Sequence, residues 1–235
     1  MRRTSYDKAY FDSIFYRPRP NSPRNRNRLE LILSNKQTGK LLEIGPAKGE
    51  FLQLAAPHFE VWGLEISSYA VSRLPASLRA RALVGDVEKF ALPNPPFEVI
   101  AAFNLLEHLH NPFPAIQKIF EALAPTGIFV GSVPCNGGLA GTVHSALTDL
   151  FDKTHVSNAK IGKWQEDFQQ AGFQEVNLFG EVMLGPNRSR YIFDRVWRHI
   201  AFNMMFICRK SALAAEDRQV TDPSSGGSNQ TAEPG

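Results

Sequence analysis

Acidic and amide side chains follow three stretches of the sequence that have the composition of buried strands. Glu65, Asp86 and Asn104 come directly after these stretches, and a loop from Gly45 to Gly49 follows an earlier one. In a doubly wound sheet, ligands bind beyond the carboxyl ends of the strands. Glu65 lies 20 residues after Gly45, where a carboxylate suits the two hydroxyls of a ribose. The spacing therefore predicts a site for a nucleotide-type cofactor.

The loop itself, GPAKGE at residues 45–50, narrows the choice of cofactor. A strand that turns through small residues into a helix presents free backbone N–H groups and the positive end of a helix dipole. A nicotinamide dinucleotide would require a third glycine where Glu50 stands, and Glu50 would repel a pyrophosphate. A nucleoside without phosphates fits better, because Asp86 can accept a hydrogen bond from an adenine amino group. A nicotinamide oxidoreductase remains the weaker alternative.

Strand-like and helix-like patterns alternate over most of the chain. Strands are predicted at 40–44, 60–64, 81–84, 98–103 and 127–132, and helices at about 49–57, 68–74, 112–124 and 157–171. This alternation predicts an α/β fold with a Rossmann-like, doubly wound and mostly parallel sheet. Two later stretches, Glu175–Glu181 and Phe202–Cys208, predict a closing antiparallel pair with an antiparallel final strand, which brings the sheet to seven strands.

Length and composition predict one soluble domain flanked by further segments. Within the 235 residues we expect a helical cap with an Arg/Pro connector over 1–37, the sheet domain over 38–210, and a disordered tail over 211–235. The net charge of +3 is too small to argue for nucleic acid by itself. The two cysteines lie far apart and no apolar run approaches the length of a membrane span. These features predict a cytoplasmic protein without a metal site or a membrane span.

Five motifs, read in chain order, give a family resemblance. The chain resembles class I S-adenosylmethionine-dependent methyltransferases at Glu43–Gly49, Glu65–Ser67, Gly85–Val87, Asn104–Leu109 and Ala124–Ile128. The resemblance is closest to the small-molecule branch that includes the ubiquinone-type O-methyltransferases, and it covers residues 38–182. It implies a class I methyltransferase domain that uses S-adenosylmethionine as its cofactor.

The resemblance also implies a role for each matching residue. On the methionine half of the cofactor, the implied lining residues are Gly45, Ala47 and Gly49. Glu43 would be reached through the loop or through a water. Asn104 and Leu105 would face the methionyl chain and the sulfonium. On the adenosine half the implied residues are Glu65 beside Ile66 for the ribose, Asp86 for the adenine amino group and the Val87 backbone N–H for the adenine ring. Ala47 stands where the family usually has a glycine. Because alanine adds only a methyl group, we expect cofactor binding to survive.

The acceptor site is predicted between the fifth strand and the last predicted helix. A base is needed only if the acceptor must lose a proton, and histidine is the natural choice near neutral pH. His155 is the first candidate and His144 the second. The alternative is that Asp152, Thr154 and His155 merely cap the helix predicted to start at Ser157.

Five arginines lie between residues 17 and 28, a stretch without acidic residues. They would either hold an anion on the acceptor or form a solvated basic connector.

The sequence as a whole predicts an S-adenosylmethionine-dependent methyltransferase that acts on a small-molecule acceptor at oxygen. One alternative is an RNA methyltransferase, suggested by the arginines, although the chain lacks an added RNA-binding module and interleaved aromatic residues, so nucleic acid is not the expected partner. Another is a catalytically silent S-adenosylmethionine-binding partner or regulatory protein. Motifs that concern the cofactor do not distinguish an enzyme from such a partner, and they leave the oligomeric state open.

Overall fold

A single mixed sheet runs through the part of the chain that the computed structural model describes, namely residues 6–12, 21–93, 95–135, 156–157, 159–185 and 188–211. Its strand order is β3-β2-β1-β4-β5-β8-β6-β7. The strands are β1 (Lys40–Ile44), β2 (Glu60–Glu65), β3 (Ala82–Val84), β4 (Phe97–Phe103), β5 (Leu123–Pro134), β6 (Glu175–Gly185), β7 (Arg188–Ile192) and β8 (Asn203–Arg209).

The described helices are α1 (Lys8–Phe11), α2 (Pro23–Leu33), α3 (Glu50–Ala55), α4 (Ser68–Ser72), α5 (Ala76–Arg79), α6 (Pro112–Ala122), α7 (Ile161–Gln170) and α8 (Trp197–Ile200), with a 3-10 turn at Leu106–His108. Local sequence explains several of their ends. Ser22 caps α2 by accepting from the Asn25 N–H, and Pro23 opens the helix. Gly172, which follows the C-cap of α7, has φ of 112°, and a Cβ there would lie 2.8 Å from Phe120. None of the described helices is long and apolar enough to cross a membrane.

The predicted parallel core of the sheet is confirmed, and so is the antiparallel pair that closes it. Strands β1 to β5 pair in parallel, whereas β8 pairs antiparallel with both β5 and β6. The predicted count of seven strands is wrong, because the structure describes eight. The additional strand, β7, pairs antiparallel with β6 at the edge of the sheet. Its sequence, RSRYI, has two charged residues in five, as is typical of strands at a sheet edge, and lacks the apolar run used to find the others.

The central strands β1, β4, β5 and β8 are buried on both faces because helices cover each side of the sheet. Successive residues of β1 show this: Leu41 packs in one apolar cluster and Leu42 in the other. The first cluster includes Leu29 and Ile32, so α2 lies directly against the sheet although it falls within the predicted cap of residues 1–37. This packing brings the arginines of α2 to the sheet. Apart from Ser211, the predicted tail at 211–235 lies outside the described residues.

Candidate active site

The loop after β1 turns through three residues with left-handed backbone conformations. Gly45, Ala47 and Gly49 have φ of 74°, 51° and 76°. Alanine rarely adopts this conformation, and here the Ala47 N–H donates to Glu65 Oε2 at 2.9 Å. At Gly49 a Cβ would lie 2.5 Å from Leu74 Cδ2, so this glycine is required for packing as well as for its φ. The loop is therefore fixed to the end of β2 and to the helices that follow it.

Glu65, at the end of β2, is buried and held by backbone donors on both carboxylate oxygens. Oε2 accepts from Ala47, and Oε1 accepts from the Ser67 N–H at 2.9 Å. Burial raises the pKa of Glu65 above its usual value, and the backbone N–H groups partly oppose this. A carboxylate oxygen accepts two hydrogen bonds, so each oxygen keeps one position for a donor on a ligand. The neighbouring Ile66 is exposed.

Asp86 organises the turn that follows β3. Its Oδ1 accepts from the Glu88 N–H at 3.0 Å, and its Oδ2 pairs with Lys89 Nζ at 3.0 Å. The side chain of the next residue, Val87, is buried in the core cluster that contains Leu42. Asp86 therefore lies where the sequence predicted a group for adenine, with acceptor capacity left on both oxygens.

Asn104 and Leu105 lie at the end of β4, beside the first loop. Asn104 has φ of 52°, and its N–H donates to the Ser132 carbonyl at 2.8 Å. The Ser132 hydroxyl in turn donates to Asn104 Oδ1 at 2.7 Å. A Cβ on Gly45 would lie 3.0 Å from Leu105 Cδ1, which shows how closely the two strand ends approach each other. The structure thus brings the predicted cofactor residues of β1, β2 and β4 to one edge of the sheet.

Glu43 and Arg28 are buried at this edge, and each leaves one polar atom without a partner among the described residues. Glu43 is 5% exposed and its Oε2 is not hydrogen-bonded. Arg28 is 9% exposed, its Nε is not hydrogen-bonded, and its guanidinium lies 4.2 Å from the centroid of the Phe103 ring. Unpaired buried polar atoms are costly, so such atoms at a strand-end edge indicate a place where a ligand or water completes the bonding.

Arg28 was not singled out by sequence reasoning, although one signal could have found it. Arg24, Arg28 and Ile32 follow each other at intervals of four residues, which places both arginines on the helix stripe that carries a buried residue. The sequence analysis treated the five arginines of residues 17–28 as one group, either anion-binding or solvated. The structure instead turns Arg24 and Arg28 inward.

Arg24 forms a bidentate ion pair with Glu181 of β6. Its Nε lies 2.9 and 3.1 Å from the two carboxylate oxygens, and Asn203 Nδ2 donates to the same carboxylate at 2.9 Å. Burial alone would raise the pKa of Glu181, but Arg24 and these donors lower it to about 2. Tyr191 of β7 lies near this pair, and burial raises the pKa of its hydroxyl. The pair joins α2 to the antiparallel end of the sheet.

Helix α1 covers the loop after β1 from the other side. Phe11 packs against Ala47, and Lys48 Nζ donates to the Phe11 carbonyl at 2.6 Å. The ring of Tyr6 contacts His108 edge-on at a centroid distance of 6.3 Å. The predicted acceptor residues His144 and His155 lie outside the described residues, as do all of residues 136–155.

The buried Glu43 gives a testable dependence of stability on pH. Burial raises its pKa to about 8, opposed by Arg28 and assisted by Glu50 and Glu65. Because this pKa exceeds the unfolded value, the stabilisation is fully present below about pH 4.5 and is lost as pH rises through about 8. We expect wild type to lose stability relative to Glu43→Gln between pH 5 and 8, by up to about 1.4 kcal/mol per pH unit.

Chemical unfolding of both proteins at several pH values measures this difference. Above about pH 8 the difference should become constant, because Glu43 is then ionised in the folded and the unfolded state. Parallel stability curves from pH 5 to 8 would contradict a raised pKa. Glu60→Gln, which changes an exposed glutamate of β2, is the matched control and should leave the pH dependence of wild type unchanged.

The strand order and the strand-end site define the class I, Rossmann-like methyltransferase fold. Residues 15–178 match the family described as methyltransferase domain. The chain belongs to this family, and it is a methyltransferase that uses S-adenosylmethionine.

Several solved structures share this fold. A SAM-dependent methyltransferase from Archaeoglobus fulgidus is 18% identical, with a TM-score of 0.67 over 87% of this chain and 100% of that one. A possible histamine N-methyltransferase from Thermotoga maritima is 15% identical, with a TM-score of 0.64 over 80% and 90%. Phosphoethanolamine N-methyltransferase 2 from Haemonchus contortus, in complex with S-adenosylhomocysteine, is 17% identical, with a TM-score of 0.53 over 65% and 38%. At these identities the likeness concerns the fold.

Proposed function

We propose that the enzyme transfers the methyl group of S-adenosylmethionine to an oxygen atom of a small-molecule acceptor, as the ubiquinone-type O-methyltransferases do. The observation that supports the binding of this cofactor is that two buried atoms, Glu43 Oε2 and Arg28 Nε, have no hydrogen-bond partner among the described residues. An amino acid carries an ammonium and a carboxylate, and these two groups complement a buried carboxylate oxygen and a buried guanidinium N–H. The methionine end of the cofactor supplies both groups. The loop residues Gly45, Ala47 and Gly49 lie beside it.

The remaining roles follow from the positions of the strand ends. Glu65 has one free acceptor position on each oxygen for the two ribose hydroxyls, and Ile66 borders the ribose. Asp86 accepts from the adenine amino group, and the Val87 N–H donates to the adenine ring. Asn104 and Leu105 face the methionyl chain and the sulfonium. These assignments rest on the geometry of the edge and on the family resemblance of each motif.

When bound, S-adenosylmethionine supplies a methyl group on a positively charged sulfur, which a nucleophile can displace in line without a metal. The task of the chain is to align the acceptor and to exclude water. Phe11 and α1 close one side of the cofactor loop, and Arg28 lies over Phe103 at the other. Lys48 points its ammonium to the Phe11 carbonyl, so its charge is held by α1.

The acceptor class is supported by the resemblance and by the direction of two arginines. An RNA-binding face requires exposed cations, but Arg24 is paired with Glu181 and Arg28 is buried. Two of the structures that share the fold carry names of N-methyltransferases, so a nitrogen acceptor is the rival outcome. Incubation with methyl-labelled S-adenosylmethionine and a metabolite extract, followed by mass spectrometry, distinguishes them. A labelled methyl ether supports the proposal, whereas a labelled amine or labelled RNA contradicts it.

His155 remains the proposed base, with His144 as the second candidate, on the strength of the sequence alone. If His155 removes the acceptor proton, we expect His155→Ala to lower kcat about 100-fold or more at saturating acceptor. The binding of S-adenosylhomocysteine should stay unchanged, which a calorimetric titration checks. An unchanged kcat would remove His155 from this role.

A further inference from the structure

The segment that follows β3 forms one helical turn. The carbonyl of Asp86 accepts from the N–H groups of Lys89 and Phe90, at 2.9 and 2.8 Å. In a trans peptide the C=O and the following N–H point in opposite directions. Because the Asp86 carbonyl points into the turn, the N–H of Val87 points out of it. The conformation of the turn therefore sets the direction of the Val87 N–H, the donor that our proposed function assigns to the adenine ring.

Lys118 of α6 binds the carbonyl end of this turn. Its Nζ lies 2.9 Å from the Glu88 carbonyl, 3.2 Å from the Val87 carbonyl and 3.4 Å from the Phe90 carbonyl. Carbonyls at the end of a helical turn carry partial negative charge and attract a cation. An ammonium has three donors and no acceptor, which matches three converging carbonyls. Lys118 is half-buried, so this contact is partly shielded from water.

A second bond ties the same turn to the start of α6. Glu88 Oε1 accepts from the backbone N–H of Asn111, the residue that precedes the helix, at 2.9 Å. Helix α6 is itself fixed, because Ile116, Ile119 and Phe120 lie in the core. The turn is thus held through its carbonyls and through the Glu88 side chain by a rigid helix whose own residues lie far from it in the sequence.

We propose that Lys118 is a positioning residue for the adenine end of the cofactor. By holding the Glu88 carbonyl, it orients the Glu88–Lys89 peptide plane, whose N–H donates to the Asp86 carbonyl. That bond in turn orients the Asp86–Val87 peptide plane, which carries the Val87 N–H. The inference rests on the proposed function, because it takes Asp86 and Val87 as the adenine contacts. It adds a residue from a separate helix that none of the five sequence motifs contains.

Calorimetric titration of the full chain with S-adenosylhomocysteine and with 5′-methylthioadenosine tests the proposal. The second compound has the adenosine part but no amino-acid end. We expect Lys118→Met to raise the Kd of both compounds by the same factor, about tenfold. Lys118→Arg keeps the charge and should recover most of the affinity. Gln117→Met, on the exposed side of the same helix, is the control and should bind both compounds as wild type does.

The outcomes separate a positioning role from a structural one. A lower melting temperature of Lys118→Met with unchanged Kd values would mean that Lys118 only stabilises the fold, and it would overturn the proposal. A larger loss for S-adenosylhomocysteine than for 5′-methylthioadenosine would also overturn it, because the effect would not lie at adenine. Lys118→Gln gives the same comparison if the methionine variant does not fold. Failure of the wild-type chain to bind 5′-methylthioadenosine would refute the proposed adenine site itself, and the inference with it.

Discussion

Arg28→Met is expected to raise the Kd of S-adenosylmethionine about 100-fold and to leave the protein at least as stable as wild type. Truncating one member of a buried charge pair costs about 3 kcal/mol of binding, which corresponds to that factor. The fold should not suffer, because burial and the nearby Arg24 already lower the pKa of Arg28 to about 10. Such a shift means that the buried charge is unfavourable until a ligand neutralises it. Calorimetric titration and thermal unfolding measure the two effects.

Two comparisons make this result specific. Arg26→Met changes an exposed arginine two residues earlier on α2 and should alter neither the Kd nor the melting temperature. Binding of 5′-methylthioadenosine, which lacks the amino-acid end, should be the same in Arg28→Met and in wild type. Equal weakening of both compounds would place Arg28 elsewhere than at the methionine carboxylate.

Glu181→Gln should destabilise the protein by about 3 to 5 kcal/mol at neutral pH. The change leaves Arg24 in a partly buried position without its counter-charge and replaces one of the two accepting oxygens by an amide NH2 group, which only donates. The pKa of Glu181 is lowered to about 2 in the folded state. Its stabilisation is therefore present above the unfolded value of about 4.5 and is lost as pH falls towards 2. Unfolding by urea from pH 5 to 8 should show a constant difference from wild type.

The double variant Arg24→Met with Glu181→Leu is the control for the ion pair. Replacing both members of a buried pair by apolar residues is often neutral, whereas breaking the pair is costly. We expect the double variant to recover most of the lost stability. A double variant as unstable as Glu181→Gln would show that Glu181 acts through Asn203 or through packing rather than through Arg24.

Most of the parallel half of the sheet could be predicted because β1, β4 and β5 are largely buried on both faces and are bounded by loops. β1, β2 and β4 are mostly apolar, and in this architecture the parallel strands all end at the same edge of the sheet. The positions of Glu65 and Asp86 followed from that rule. β7 could not be found in the same way, since Arg188 and Arg190 give it the composition of a loop. Only its pairing with β6 defines it as a strand.

The contacts of the site that sequence reasoning missed join residues far apart in the chain. Lys118 reaches a turn about 30 residues earlier, and Arg24 reaches Glu181 across 157 positions. A lysine or an arginine on a helix is most often solvated. The sequence alone therefore does not reveal that such a side chain points into the protein. The spacing of Arg24, Arg28 and Ile32 indicates that the three side chains lie on one face of α2. That this face points into the protein is known only from the packing of α2 against β1.

The place of β8 in the sheet has a consequence for the order in which the fold can assemble. β8 follows β6 and β7 in the chain, yet it lies between β5 and β6. The β6–β7 hairpin therefore joins the parallel strands of the sheet by way of β8, residues 203–209, which pairs with β6 on one side and with β5 on the other. During synthesis the five parallel strands can associate first, while the hairpin has no strand to join. Glu181 meets Asn203 only when β8 pairs with β6, so the ion pair between Arg24 and Glu181 gains its hydrogen bond from Asn203 only after β8 has been inserted.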